Sequence, residues 1–160
     1  LPEAQMDRFA FKLLVRQGTA DDLVRILAMT TRSTETAIKP LFDAATIGKL
    51  SAAVREVPIA DPLLARIAKL LALAQPENPA CPPAVKAVLR FGPSVRGGQA
   101  LVLGAKARAL AHGRPNVSLE DLEILSKPAL RHRLILNFEG NIAKTDTDQL
   151  VAQLWQASAT

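Results

Sequence analysis

The sequence is poor in several residue types, and each shortage excludes something. Of its 160 residues only Cys81 is a cysteine, so no disulfide can form within the chain. That usage fits a reducing compartment, and a cytoplasmic location is the expectation. Aromatic residues are 4% of the chain and tyrosine is absent, so a core must be built from Leu, Ala, Val and Ile. Such a composition favours helices. No apolar run approaches the roughly 18 residues that cross a bilayer, so no membrane span is expected. The two histidines, His112 and His132, have no spacing with Cys81 that would make a metal site. "GPSVRGGQ" is glycine-rich but lacks the lysine of a GxxxxGK[ST] phosphate loop, and no serine lies in a GxSxG elbow. Glu56, Glu77, Glu120, Glu123 and Glu139 show no spacing that argues for paired acid–base carboxylates. By its own residues the chain is not a complete enzyme.

What is present suffices for folding. Hydrophobic residues make up 49% and charged residues 22%, and the length fits one domain, or one small domain with a piece of another. The net charge is +5, from 20 Lys and Arg against 15 Asp and Glu, with its densest cluster at Arg131-His132-Arg133. Basic domains often bind nucleic acid, so a stand-alone basic helical nucleic-acid-binding or adaptor module is one reading. A solvated basic face is the plainer one. The opening "LPEAQMDRFAFKLLVRQG" starts inside a pattern, which reads as a piece of a longer protein.

Residues 2–8 allow a short helical turn with Pro2 at its start. "FAFKLLV", Phe9 to Val15, is apolar and ends before Gln17-Gly18, which predicts a strand. Thr19 caps a helix through about residue 29, with Leu23, Ile26 and Leu27 on its inward face. Residues 30–39 read as a loop. Asp43 or Thr46 starts a helix to about residue 56, with Leu50, Ala53 and Val54 as its stripe. Asp61-Pro62 reads as an N-cap and first-turn pair for a helix to about residue 73. Four prolines in "AQPENPACPP" make a loop, and Val85 to Phe91 reads as extended. Ser94 caps a long helix to His112 on which Gly97, Ala100, Gly104, Ala107 and Ala111 form a small-residue face that admits another helix closely. Ser118 with Asp121 caps the next helix, Pro128 restarts a short one, "LILNFEG" is extended, and Thr145 or Asp146 caps the last.

Two arginines stand out. Arg96 lies in the first turn of the Ser94 helix, where a cation is disfavoured by about 0.3–1 kcal/mol. Unpaired N–H groups at a helix start attract anions, and a guanidinium beside them suits phosphate. The alternative is an arginine in solvent or paired with a nearby carboxylate. Arg8, in "LPEAQMDRF", sits at an element edge from which it can reach another subunit. Its alternative is an ion pair with Glu3 or Asp7.

"LPEAQMDRFAFKL", "FGPSVRGGQALVLGAKARAL" and "VSLEDLEILSKPALRHRLILNFEG" resemble, in order and spacing, the C-terminal part of MoxR-type AAA+ ATPases. The family pattern has proline before the second-motif arginine where this chain has Val95, with Pro93 two positions earlier. The resemblance implies a mainly α fold: a helical-bundle lid with one or two short strands at residues 19–160, preceded at 1–18 by the tail and last strand of the α/β ATPase core. It implies that Arg8 is an arginine finger acting in trans and that Arg96 is the sensor 2 arginine on the ATP γ-phosphate, with Ser94 beside it. ATP and Mg2+ would be cofactors of the intact protein, whose Walker motifs lie elsewhere. Neighbouring subunits of a hexameric ring and a von Willebrand factor A domain protein are the implied partners. Arg96 is then expected to be exposed and unpaired here.

Overall fold

Short polar side chains at helix starts explain most of the element boundaries. In a computed structural model, which describes residues 3–32 and 38–159, the elements run α1 (Glu3–Met6), α2 (Ala20–Thr30), α3 (Ala44–Glu56), α4 (Asp61–Leu73), α5 (Pro83–Lys86), β1 (Leu89–Phe91), α6 (Val95–Ala111), α7 (Leu119–Leu130), β2 (Ile135–Leu136), α8 (Phe138–Ile142) and α9 (Thr147–Ala157). Thr19 and Asp22 close a reciprocal capping box on α2, and Ser118 and Asp121 do the same on α7. Asp43, Ser94, Asn137 and Asp146 each accept a backbone N–H at the start of α3, α6, α8 and α9. Each such cap contributes about 1 kcal/mol and fixes where its helix begins. On α4 the capping position is Ala60 and Asp61 is already helical, with Pro62 in the first turn.

The core lies where α4, α6, α7 and α9 meet, around fully buried Leu70, Leu101, Leu122, Leu130, Val151 and Leu154. Antiparallel β1 and β2 pair Leu89 with Leu136 and Phe91 with Ile135 beside it. The fold is thus mainly helical with a small sheet, as expected. The small-residue face of α6 is used in part: Gly97 packs on Leu130 and Gly104 on Leu125, both from α7, whereas Ala111 is exposed and the buried residues of the helix are Gly97, Gly98, Leu101, Ala105 and Ala109. At Gly104 an added Cβ would stand 2.5 Å from Cζ of Phe11, so the glycine makes room for a chain segment from far upstream.

Several expectations are corrected. Residues 9–15 are not a strand. No second strand lies alongside them among the described residues, and the carbonyls of Phe9, Ala10 and Lys12 accept side-chain donors instead. The 85–91 segment divides into the end of α5 and β1. Pro128 does not restart a helix; it lies inside α7. A proline this near the C-terminus removes one backbone bond. Buried Leu122, Ala129 and Leu130 hold the last turns in place. In "LILNFEG" only Ile135-Leu136 is extended, and Phe138 starts α8. The predicted loop at 30–39 begins one residue later, and residues 33–37 lie outside the described residues. Leu23, Ile26 and Leu27 share a face of α2 as read, but that face is exposed, and neither α2 nor α3 buries a residue.

One buried ion cluster ties the end of α6 to the start of α7. Asp121 is 0% exposed. Its Oδ1 accepts from Arg108 and from Arg114, both at 2.5 Å. Its Oδ2 accepts from Arg114 at 2.6 Å and from Ser118 N at 2.9 Å. Burial alone would raise this carboxyl. The bonds from Arg114, Ser118 and Arg108 outweigh it and hold the group well below its ordinary value of 3.8.

A carboxyl depressed on folding contributes stability at pH values above the ordinary value and loses it as pH falls toward the folded one. Thermal midpoints should therefore be insensitive to Asp121 above about pH 5 and fall below about pH 4. Asp121→Asn should destabilise the fold at pH 7 by about 2–4 kcal/mol in chemical denaturation, because it leaves Arg114 without a carboxylate and Arg108 with only the exposed Glu120.

Candidate functional site

The first turn of α6 gathers the polar groups singled out in the sequence. Ser94 has extended backbone angles, φ −76° and ψ 176°, and its Oγ accepts the Arg96 N–H at 3.2 Å. The same hydroxyl donates to Oδ2 of Asp7 at 2.9 Å. Arg96 Nη1 lies 3.6 Å from that oxygen, with 58% of the arginine side chain exposed. Arg96 is therefore exposed as expected but not unpaired; a carboxylate 89 residues upstream partners it loosely. Ser94 and Arg96 thus already converge on an anionic oxygen, which is the donor chemistry a phosphate oxygen requires.

Asp7 is held in turn by Arg133. The Arg133 side chain is 2% exposed, and all five N–H donors of its guanidinium are used. Nε donates to Asp7 Oδ1 at 3.0 Å. Nη2 donates to the carbonyls of Asp7 and Phe9, each at 2.8 Å, and Nη1 to those of Ala10, at 3.2 Å, and Ala129. Burial would raise the Asp7 carboxyl. The Ser94 and Arg133 hydrogen bonds, the Arg133 charge and the Arg96 contact more than offset it and lower the group below the usual carboxylate range.

The neighbours of Arg133 do similar work. His132 Nε2 lies 2.9 Å from the Phe9 carbonyl, which can only accept, so Nε2 carries the hydrogen. Its Nδ1 is buried without a partner. Burial first, and then the nearby Arg133 and Lys12 charges, push the imidazole below its ordinary pKa despite the bond to Phe9, so it is neutral. Arg131 grips Asp148 through two 2.8 Å bonds and donates to the Lys12 carbonyl at 3.0 Å. Lys12 N donates to Pro128 O at 2.9 Å.

Arg131-His132-Arg133 is therefore an internal clamp on residues 7–12. The basic surface patch on which a nucleic-acid reading leaned is absent at this position. Phe11 joins the helical core through Gly104, while Phe9 stays 57% exposed. Just before them, Arg8 projects from the clamped turn. It is exposed and makes no ion pair among the described residues: Asp7 is engaged by Arg133 and Arg96, and the Glu3 side chain lies outside the described residues. The turn that carries Arg8 and the helix that carries Arg96 are thus brought together through Asp7.

Sequence reasoning missed Asp7 and Arg133. Asp7 was weighed only as a partner of its neighbour Arg8. Arg133 was counted as surface charge, although it lies within the "LRHRL" run that carries the family resemblance.

Residues 82–154 match the AAA lid domain. That range takes in α5 through most of α9, including Ser94, Arg96 and Arg131–Arg133, but not Asp7 or Arg8. The chain superposes with a TM-score of 0.85 on a solved structure described as a "putative ATPase" from Cytophaga hutchinsonii, at 23% identity, covering 98% of this chain and 48% of that one. It is 28% identical over 159 residues to the uncharacterized protein YeaC of Bacillus subtilis, covering 98% of this chain and 47% of that protein. The chain thus spans about half the length of these relatives. The likeness to an AAA lid domain is confined to residues 82–154, and the structural likeness shows that nearly the whole chain shares the fold of that solved structure. Among the described residues no helix is long and apolar enough to cross a membrane.

Arg133→Gln should release the clamp without melting the bundle. Amide exchange across residues 8–12, above all at Lys12, is expected to rise at least tenfold by mass spectrometry, while α6 and α9 keep their protection.

Proposed function

We propose that this chain is the lid, with the adjoining end of the nucleotide-binding core, of a MoxR-type AAA+ ATPase. The observation that carries the reading is the convergence of Ser94 and Arg96 on one anionic oxygen at the start of α6. The donor set fits a phosphate: a cap hydroxyl, a half-exposed guanidinium and the positive end of a 17-residue helix. Bound ATP with Mg2+ would supply the phosphoryl group that is transferred to water. Arg96 would hold oxygens of the γ-phosphate as sensor 2, with Ser94 fixing the turn from which it projects.

Arg8 projects into solvent from a turn whose backbone is clamped, the arrangement an arginine finger needs to reach ATP in the next subunit. Preorganised guanidinium groups stabilise the charge spread over the transferring group, and a finger supplied in trans contributes about 10³–10⁵ in rate. The working protein is then a cytoplasmic ring, a hexamer by family resemblance, that hydrolyses ATP to remodel or assemble partner proteins in a chaperone-like way. A von Willebrand factor A domain protein is the proposed partner.

In the full-length protein, Arg96→Ala should lower steady-state ATP turnover at least tenfold while gel filtration shows the assembly unchanged. Arg8→Ala should also lose turnover, yet regain part of it when mixed with a subunit unable to bind ATP, because a finger and its nucleotide sit in different subunits. Normal hydrolysis by both variants would overturn the nucleotide roles.

A further inference from the structure

The Asp7 carboxylate sits where two functions of the proposed site meet. One of its oxygens faces Ser94 Oγ at 2.9 Å and Arg96 Nη1 at 3.6 Å; the other takes Arg133 Nε at 3.0 Å. The second contact is nearly removed from water on the arginine side, and Arg133 also fixes three carbonyls of the same turn. The Arg96 contact is open, long and single, with the arginine 58% exposed. The two contacts differ in strength accordingly. A buried, fully bonded guanidinium keeps Asp7 in place, whereas an exposed pair is worth little and yields readily to a stronger anion.

We propose that Asp7 is a positioning residue that occupies Arg96 when no nucleotide phosphate does. The inference rests on the reading of Arg96 as a γ-phosphate ligand. Arg133 anchors the carboxylate, so Asp7 stays while Arg96 leaves it. Phosphate and Asp7 then compete for one guanidinium, and the competition lowers the apparent affinity for nucleotide by the fraction of time Arg96 is engaged. The same carboxylate belongs to the turn bearing Arg8. Filling the site with phosphate therefore removes the Arg96 tie between that turn and α6, while the Ser94 bond and the Arg133 anchor beyond α7 remain.

The test is a double-mutant cycle in the full-length protein, read by equilibrium binding of a fluorescent, non-hydrolysable ATP analogue. Asp7→Asn should tighten binding roughly two- to fivefold, the range that an exposed ion pair supplies. In an Arg96→Ala background the same change should have no effect, because the competitor has nothing left to hold. A purely structural role for Asp7 would not depend on Arg96 in this way. Asp7→Ser, neutral and smaller, repeats the measurement should the amide disturb the Arg133 contacts and lower the melting temperature.

If Arg96→Ala weakens binding but neither Asp7 variant tightens it, the competition is wrong and the nucleotide reading stands. If an Asp7 variant tightens binding equally in both backgrounds, the carboxylate acts by general charge and the inference again fails. If Arg96→Ala itself leaves binding unchanged, the nucleotide reading of Arg96 fails, and this inference with it.

Discussion

A guanidinium almost removed from water has to satisfy its donors inside the protein, and Arg133 sets the terms for everything at this end of the molecule. Leaving a buried charge unpaired costs several kcal/mol, so the residues around it are constrained to present acceptors. The chain answers with one carboxylate oxygen and four carbonyls, three of them from a segment more than 120 residues away in sequence. That demand places the Asp7–Ala10 backbone against α7. It brings the Asp7 carboxylate to the first turn of α6, and it leaves the Arg8 side chain outside. The glycines of α6 serve the same end, since Gly97 admits the Arg133 stem and Gly104 admits Phe11.

The helices and their starts were legible because capping is local. Thr19, Asp43, Ser94, Ser118 and Asp146 each act within three residues, so the sequence carries both donor and acceptor. What depended on distant partners was not legible. "FAFKLLV" has the composition of a strand, but a strand is defined by the backbone beside it, and here side-chain donors take the carbonyls. The inward face of α2 was read correctly as a face and wrongly as a buried one, since amphipathicity says which side is apolar and not what covers it. Pro128 looked like a breaker because propensity prices the missing bond and ignores the packing of Leu122, Ala129 and Leu130 around it.

The site was legible in the same uneven way. Arg96 and Ser94 could be found from their position in a first helical turn, and Arg8 from its neighbours. Asp7 could not, because its significance lies in contacts at separations of 87 and 126 residues. Charged runs such as Arg131-His132-Arg133 are usually solvated, and nothing within the run tells that this one turns inward. The chain does hold a matching clue: a segment with exposed carbonyls needs donors, and an arginine supplies five in one plane.

The clamp on residues 7–12 grips peptide carbonyls rather than side chains, apart from the single Asp7 contact. Every residue type carries the same backbone carbonyl, so the attachment does not depend on which side chains stand at positions 8, 9 and 10. A change of the side chain displayed at position 8 therefore leaves every acceptor of the clamp in place. Attachment and display are thus separable: the backbone of this turn is held whatever side chain stands at position 8.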